Sequence, residues 1–317
     1  MKEIGGYFEL EQFVRQEYYG DLIKLNTARN AIIYLIKARN IKKLYIPYYL
    51  CDSVRKALAK RKYEFEFYHV DENFKPIFNK ELKQNEYLYI VNYYGQITNE
   101  LIKGYKQRFS NIIFDNTHAF FQKPAQNIDT IYSCRKFFGV PDGAYLSTDV
   151  KVKEELEIDC SKDRMSHLLG RLEGQASEYY DQFIDVDKNF DELNLKKMSK
   201  LTENLLGAID YEKVQKIRNE NFNKLSKELS NLNKLRLIKP NGPFAYPFYI
   251  ENGIEIRKEL AKKKIYIPTL WPNVLKDIGE NRIEYKYVAN ILPLPCDQRY
   301  NVENMKNLVK ELKICIG

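Results

Sequence analysis

Four residues whose types and spacing could do chemistry lie between positions 112 and 145. Asp115 ends a short apolar run, and His118 follows it by three residues. Ser133 ends a second apolar run and precedes Lys136 by three residues. A carboxylate can pair with a protonated pyridine nitrogen, a hydroxyl can bind a phosphate, and a lysine amine can form an imine with an aldehyde. The stretch therefore predicts a site for pyridoxal 5′-phosphate and an enzyme of amine chemistry.

Each of these residues also has an interpretation without a ligand. Asp115 alone would more often cap a helix or a turn. His118, which we expect on or beside the cofactor ring, would alone be an ordinary half-buried histidine, and Lys136 would be a surface lysine. Their order along the chain favours the cofactor site, because Asp115 stands at the carboxyl end of a strand, where open parallel sheets bind ligands.

The residues around Lys136 bear on its reactivity. A lysine that forms an imine must be neutral before it reacts, so partial burial beside other cations is expected to lower its pKa. Phe137 and Phe138 predict apolar surroundings, and Arg135 predicts a neighbouring cation. A freed Lys136 amine could then carry a proton between the substrate and the cofactor.

A phosphate site is predicted near the start of the chain. Thr27 precedes a helical pattern and is expected to be its N-cap, which leaves the amides of Ala28 and Arg29 facing an anion. Plain capping without a ligand is an equally good interpretation of these residues alone.

The elements that position these residues follow from periodicity. Residues 27 to about 150 alternate between helical patterns and short β-branched or aromatic runs. The pattern predicts helices over 27–39, 52–62 and 98–108, and strands over 43–47, 64–70, 87–94, 112–114, 129–133 and 144–148. This alternation is typical of an α/β fold with a mostly parallel sheet and crossover helices.

The remainder of the chain has a different pattern. Residues 152 to about 235 are predicted to be helical, most clearly from Tyr211 to Leu229. Short strands and helices follow, with LRLIK, FAYPFYI and KIYIP as predicted strands and 254–263 and 302–312 as predicted helices. We therefore predict a large domain over residues 1–234 and a smaller α+β domain over residues 235–317.

Composition narrows the function classes. The chain has 317 residues and a formal charge of +8, and its lysines are spread over amphipathic stretches, which favours solvated helix faces over a nucleic-acid surface. No secretory signal or membrane-length apolar run is present in the sequence, so we expect a cytoplasmic protein without a membrane contact. Five cysteines without CxxC spacing and three separated histidines predict reduced thiols and no metal site.

Taken together, these segments resemble the DegT/DnrJ/EryC1/StrS aminotransferases, the sugar-aminotransferase branch of fold-type I pyridoxal-phosphate enzymes. The resemblance covers nearly the whole chain and is strongest in FDNTHAF and SCRKFFGVPDGAYL. It continues in LNTARNAI, IPYYLCDSV and NYYGQ, and in the C-terminal segments IYIPTLWP and ILPLPCDQRY.

The resemblance implies a homodimer with its active site at the subunit interface. It makes Lys136 the imine lysine, Asp115 the partner of the ring nitrogen and His118 the neighbour of the ring. Ser133, Thr27 and the Ala28 amide would bind the phosphate. Cys51 stands where larger relatives place an aromatic ring stacked on the cofactor, and the tyrosines beside it are candidates to replace that ring.

Two segments depart from the family pattern. Many relatives have Ser-x-His-x-x-Lys, whereas Ser133 stands only three residues before Lys136. Many also carry a Gly-x-Asn-x-Arg segment that reaches into the partner's phosphate site, and the matching residues 193–201, LNLKKMSKL, contain no arginine.

The predicted function is transfer of an amino group from glutamate to a keto group, on a nucleotide-linked sugar for surface polysaccharide synthesis. Two alternatives stay open: another pyridoxal-phosphate reaction on a smaller substrate, and a non-catalytic binding or regulatory protein with an idle Lys136. Arg299 could meet a substrate carboxylate or phosphate, but a structural salt bridge is the preferred interpretation.

Overall fold

The structure, a computed structural model, describes residue 4 and residues 6–13 and 15–317. Residues 1–3, at the start of the predicted large domain, lie outside the described residues. Eight strands form one sheet in the order β1-β8-β7-β6-β5-β2-β3-β4. The strands are β1 Ile23–Leu25, β2 Lys43–Pro47, β3 Glu64–Val70, β4 Pro76–Ile77, β5 Glu86–Val91, β6 Ile112–Asp115, β7 Asp129–Ser133 and β8 Ala144–Ser147.

The sheet is mostly parallel, as the alternating pattern predicts. Strands β3, β2, β5, β6 and β7 pair in parallel, whereas β4, β8 and β1 join antiparallel. The central strands are buried almost throughout, which is the pattern of a sheet covered on both faces. The first helices are α1 Ala28–Ala38, α2 Asp52–Lys60 and α3 Asn99–Phe109.

Three strand ends lie in one row and fix the edge that matters for function. Leu25 of β1 pairs with Ala144 of β8, and Ala144 pairs with Ser133 of β7. The row continues past the strands, where the amide of Gly143 donates to the carbonyl of Asn26 at 2.7 Å. Because α1 begins directly after this row, its N-terminus lies at the same sheet edge as the end of β7, with β8 between the two strands.

Helices occupy the next part of the chain. They are α4 Ser166–Glu173, α5 Tyr180–Asn189, α6 Lys200–Leu206 and α7 Tyr211–Leu229. The start of α7 packs with Phe137 and Phe138 in an aromatic cluster beneath the Lys136 turn. Its later residues Phe222, Leu225 and Leu229 belong instead to a C-terminal core. Helix α7 therefore joins the large sheet to the last part of the chain.

The C-terminal part contains a two-stranded antiparallel sheet of β9 Tyr246–Tyr249 and β10 Ile291–Leu294. Its helices are α8 Gly253–Lys262, α9 Val274–Asp277, α10 Ile283–Asn290 and α11 Val302–Ile316. The predicted strands LRLIK and KIYIP are wrong, because both segments are irregular. Leu237, Ile265 and Ile267 of these segments pack against the C-terminal core, whereas Ile238 and Tyr266 are exposed.

Three features bear on broad function class. Among the helices of the described residues, none is long and apolar enough to cross a membrane. All five cysteines are free thiols, and Cys134 and Cys296 are buried. The part of the chain that the structure describes contains no group of three His, Cys, Asp or Glu side chains able to hold a metal ion.

Candidate active site

Asp115 ends β6 at the carboxyl edge of the sheet, with its side chain buried. The Tyr89 hydroxyl donates to Oδ2 at 2.6 Å, and the Thr117 amide donates to Oδ1 at 2.8 Å. Burial raises the pKa of Asp115, while these two hydrogen bonds and the nearby Lys136 charge lower it. Each carboxylate oxygen can accept a further hydrogen bond, so a cationic nitrogen placed here would stabilise the ionised form.

His118 is buried in a stack of aromatic rings. The Phe244 ring lies 4.0 Å from the imidazole, centroid to centroid, at an angle of 10°. The Trp271 ring lies at 5.5 Å and 9°. Burial lowers the pKa of His118 well below its usual range, and the Lys136 charge adds to this. The imidazole is therefore neutral near pH 7.

The Nδ1 atom of His118 is the unsatisfied group of this stack. It is buried and has no hydrogen-bond partner among the described residues. Buried polar atoms are almost always paired in folded proteins, so an orphaned atom at a sheet edge indicates a place where a ligand group completes the bonding.

Lys136 ends a short 3-10 turn, Cys134–Lys136, that follows β7 directly. The amides of Phe137 and Phe138 both donate to the Cys134 carbonyl at 3.0 Å, which closes the turn. The Lys136 side chain is exposed, and its charge acts on both Asp115 and His118. The structure therefore brings these three predicted residues to one place at the sheet edge.

The residues of the predicted phosphate site lie at the same edge. Thr27 is the N-cap of α1, as predicted, and its hydroxyl accepts from the Asn30 amide at 3.1 Å. The first turn of α1 carries no acidic residue, so the amides of Ala28 and Arg29 face an end that favours anions. Ser133, at the end of β7, lies on the same edge with β8 between it and β1, and it is half-buried.

Two arginines near this end are paired with carboxylates. The Arg29 guanidinium forms an ion pair with Asp191. The Arg135 guanidinium lies 3.6 Å from the centroid of the Phe190 ring and 3.4 Å from Asp187. Arg135 is therefore held by the last turn of α5 and the residue after it, and its charge is balanced there instead of standing free beside Lys136.

Tyr49, near Cys51, is a core residue and so is Tyr93, which contacts it. Tyr49 and Tyr93 are each 1% exposed, and the Tyr93 hydroxyl donates to the Tyr49 carbonyl at 2.6 Å. Cys51 is exposed at the N-cap of α2. Tyr48 stacks on His69 at 4.6 Å. The rings that stack on His118 come from elsewhere, at Phe244 and Trp271.

No family model matches the chain, and no curated protein matches it in sequence. Solved structures do match. NtdA from Bacillus subtilis, with bound cofactor PMP, superposes with a TM-score of 0.62 at 12% identity, over 93% of this chain and 73% of its own. A DegT DnrJ EryC1 StrS aminotransferase from Brucella abortus gives 0.61 at 13%, over 92% and 85%. Sugar aminotransferase CalS13 from Micromonospora echinospora gives 0.60 at 12%, over 92% and 87%.

The chain has the fold of these aminotransferases. This confirms the predicted fold class, a fold-type I α/β architecture with a mostly parallel central sheet. The likeness extends over more than nine tenths of the chain, so the C-terminal part belongs to the shared fold as well.

Several residues of the site were missed by sequence reasoning. Tyr89 supplies a donor to Asp115 from the neighbouring strand, and Phe244 and Trp271 cover His118. Tyr89 lies in the predicted strand YLYIV, where a polar tip on an otherwise apolar run was a usable signal. Phe244 and Trp271 lie in irregular segments far along the chain. FAYPFYI was predicted as a strand and IYIPTLWP supported the family resemblance, but neither pattern assigned these two residues to the site.

Arg299 has the structural role that sequence analysis preferred. Its Nε donates to Oδ1 of Asp297 at 2.7 Å, and its Nη2 donates to Oδ2 at 2.9 Å. The hydrogen bond and charge of Arg299 hold the pKa of Asp297 down although burial raises it. This bidentate pair satisfies the guanidinium within the chain.

The residues present fit pyridoxal phosphate. The site offers a buried carboxylate with spare acceptor capacity, a neutral histidine with an orphaned Nδ1, an exposed lysine and a helix N-terminus free of acidic residues. These are the groups needed for a ring nitrogen, a ring oxygen, an aldehyde carbon and a phosphate.

Proposed function

We propose that this protein is a pyridoxal-phosphate transaminase. The observation that carries the proposal is the convergence of Asp115, His118 and Lys136 with the N-terminus of α1 at one edge of the sheet. The shared fold with solved aminotransferases supports it. The proposal assigns the imine to Lys136 and the phosphate to Thr27, Ala28, Arg29 and Ser133.

Bound pyridoxal phosphate would supply an aldehyde that exchanges amines and a ring that accepts electrons. Asp115 would hold a proton at the ring nitrogen, and its burial strengthens that pairing. His118 would direct its orphaned Nδ1 to a ring substituent. The Lys136 amine would remove a proton from the substrate carbon that bears nitrogen and return one, as a general base and acid. The Phe244 and Trp271 rings would exclude water on the His118 side.

The proposed substrates are glutamate as amino donor and a keto sugar carried on a nucleotide. The support comes from the solved structures, which include CalS13, a sugar aminotransferase, and DesI, crystallised in the presence of its TDP-sugar product. DesI superposes with a TM-score of 0.63 at 13% identity, over 92% of this chain and 80% of its own. Surface polysaccharide synthesis in the cytoplasm is the setting that we propose.

A homodimer is part of the proposal. Helices α4 and α5 contact each other and together expose Leu169, Leu172, Tyr180 and Phe183, which we call the hairpin surface. Leu172 is 83% exposed and Tyr180 is 58% exposed. A group of large apolar side chains exposed on two neighbouring helices is typical of a contact with another protein. A second copy of the chain is the partner that the proposal names.

The first experiment mixes the protein with pyridoxal phosphate and then with glutamate. We expect a visible absorbance band from the lysine-bound cofactor, followed by its conversion to pyridoxamine phosphate. Lys136→Ala should abolish the band, whereas Lys153→Ala, at an exposed lysine on a loop, should leave it unchanged. Absence of any band in the wild-type protein would sink the proposal.

The half-reaction also separates the alternative on a smaller substrate. That alternative is favoured by the segment 193–201, which lacks an arginine where many relatives have one. A transaminase converts the cofactor to pyridoxamine phosphate with glutamate, whereas a lyase or decarboxylase forms the band without that conversion. A reverse screen against amino sugars, following pyridoxamine-phosphate formation, then identifies the keto substrate. A band with no transfer to any keto sugar would favour the regulatory alternative.

A further inference from the structure

Arg218 is a fully buried arginine that the proposed mechanism does not use. It lies in the middle of α7 with 2% of its surface exposed. No carboxylate of the described residues forms an ion pair with it. Its partners are instead carbonyl and amide groups from three distant parts of the chain. Burying a cation without a carboxylate partner costs free energy, so the groups that Arg218 contacts indicate its role.

The first partner is the backbone next to the proposed imine lysine. Arg218 Nη2 donates to the Phe137 carbonyl at 3.1 Å, and its guanidinium lies 4.5 Å from the Phe137 ring centroid. The Gln298 Nε2 donates to the same carbonyl at 2.8 Å. Phe137 directly follows Lys136. Two donors hold its carbonyl, while the turn holds its amide through the Cys134 carbonyl.

The second partner is the backbone that carries the ring over His118. Arg218 Nη1 donates to the Pro243 carbonyl at 2.8 Å. The next residue, Phe244, stacks on His118 at 4.0 Å. One rigid guanidinium therefore contacts both the Lys136 turn and the segment that covers His118. A planar fork of this kind transmits position better than a flexible ammonium does.

Gln298 closes the arrangement. Arg218 Nε donates to Gln298 Oε1 at 2.8 Å, and the amide nitrogen of the same side chain donates to Phe137. Both bonds agree on one orientation of the amide. Arg218, Gln298 and the Phe137 carbonyl thus form a closed triangle between α7, the turn after β7 and the segment after β10.

We infer that Arg218 and Gln298 are positioning residues that hold the Lys136 turn in register with the His118–Phe244 stack. The inference rests on the proposed function, because it concerns the amine that would bond to the cofactor. The exposed Lys136 side chain begins at this turn, so the position of the turn sets where the amine is presented. Without the triangle, the amine would be presented over a range of positions, and bond formation would slow.

The test uses Arg218→Lys, which keeps the charge but loses the fork, and Gln298→Glu, which replaces the donor facing Phe137 by an acceptor. The matched control is Arg257→Lys. Arg257 is also buried and donates to carbonyls, those of Val288 and Ile291 at 2.8 Å and 2.6 Å, but it has no bond to the Lys136 turn.

Two cofactor forms separate positioning from general stability. With pyridoxal phosphate, the Lys136 nitrogen bonds to the aldehyde carbon, and the aldehyde oxygen leaves as water with two protons from the nitrogen. Pyridoxamine phosphate already carries an amine and forms no bond to lysine. The readouts are the rate of appearance of the visible band, the affinity for pyridoxamine phosphate, and deuterium exchange of residues 137–140 in the cofactor-free protein.

We expect both variants to form the band roughly tenfold to a hundredfold more slowly. They should bind pyridoxamine phosphate as tightly as the wild type and exchange faster over residues 137–140, with Arg257→Lys unchanged throughout. A wild-type rate in folded variants, or an equal loss for both cofactor forms, overturns the inference. If Arg218→Lys fails to fold, Gln298→Glu, at a half-buried position, carries the same comparison. A wild-type protein without any band overturns the proposed function as well.

Discussion

The hydroxyl of Tyr89 donates a 2.6 Å hydrogen bond to the buried carboxylate of Asp115. The two residues lie on the parallel strands β5 and β6, where Tyr89 is aligned with Ile113. Ile113 and Asp115 are two residues apart on β6, so their side chains face the same side of the sheet. Tyr89, which is aligned with Ile113, faces that side as well. The strand register therefore delivers a donor to the carboxylate before any ligand binds.

Tyr89→Phe tests what this bond contributes. A hydrogen bond to a charged group contributes about 1.5–3 kcal/mol, so the variant should be less stable by that amount where Asp115 is ionised. The bond lowers the pKa of Asp115, so the loss is present above that pKa and shrinks as pH falls through it. Urea unfolding of the cofactor-free protein at neutral and acid pH measures both effects.

A control for Tyr89→Phe stands beside it. The Tyr68 hydroxyl donates at 2.7 Å to the Tyr89 carbonyl, an uncharged acceptor. Tyr68→Phe should cost about 0.5–1.5 kcal/mol at every pH, because neither partner titrates in the range. An identical pH dependence in the two variants would show that the Asp115 charge has no part in the effect.

The sheet, and the places of the candidate site residues on it, could be predicted from the sequence because both follow local rules. Strands such as Lys43–Pro47 and Asp129–Ser133 agree with the prediction to the residue, since buried parallel strands are short apolar runs bounded by polar residues. The motifs Asp-x-x-His and Ser-x-x-Lys are defined by spacing along the chain, so they can also be recognised without tertiary information.

The rest of the site depends on contacts between distant segments. His118 is covered by Phe244, 126 residues later, which is a distance that no periodicity encodes. The predicted strand LRLIK fails for a related reason: it alternates like a strand, but none of the strands in the described part of the chain pairs with it. Arg218 resembled any other helix-face charge, because its partners lie in three other segments.

His118→Phe tests the neutral histidine. Because the folded pKa lies well below the ordinary value of about 6.5, the unfolded chain binds a proton that the folded protein does not. Proton uptake by the unfolded chain has no effect on stability above about pH 6.5, and it lowers stability as the pH falls below that value. Phenylalanine keeps a ring between Phe244 and Trp271 but cannot titrate. Between pH 7.5 and pH 5, the melting temperature should therefore fall less steeply in the variant than in the wild type.

The half-buried His167 gives the comparison. Burial lowers its pKa too, but less of the ring is buried, so His167→Phe should flatten the profile less than His118→Phe does. Equal slopes in the wild type and His118→Phe would mean that the imidazole already takes up a proton in the folded protein.

Ser133→Ala and Thr27→Ala separate phosphate binding from capping. Thr27 caps α1 through the Asn30 amide, so its loss should cost about 1 kcal/mol of stability as well as cofactor affinity. Ser133 makes no cap bond at its turn, so Ser133→Ala should leave the cofactor-free melting temperature unchanged. Each variant should weaken pyridoxamine-phosphate binding by roughly tenfold or more, the value of a charge-assisted hydrogen bond. Unweakened binding in Ser133→Ala would remove it from the phosphate site.

The hairpin surface predicts what disrupts the proposed dimer. Leu172→Glu combined with Tyr180→Glu places two charges on that surface, and losses at such anchors commonly reach 2 kcal/mol or more, roughly thirtyfold in the dissociation constant. Analytical ultracentrifugation should show a shift from dimer to monomer. Ile314→Glu, 59% exposed on α11, serves as the control and should remain dimeric. A wild-type protein that is monomeric at all concentrations would contradict the dimer itself.

Gly143 tests how tightly the row of strand ends is held. Its φ is +110°, and an added Cβ would lie 2.9 Å from Thr202 Cγ2 and 3.2 Å from Cys134 Cβ. Gly143→Ala should therefore cost about 1–3 kcal/mol from backbone strain, with a further contribution from crowding.

Gly104→Ala is the opposite case, because nothing lies within 4 Å of its added Cβ in α3 and alanine favours a helix by about 1 kcal/mol. Since Cys134 begins the Lys136 turn, the Gly143 variant should also slow appearance of the visible band, whereas the Gly104 variant should raise the melting temperature without changing that rate. A Gly143 variant with a lowered melting temperature and an unchanged rate would show that the turn keeps its position independently of the row.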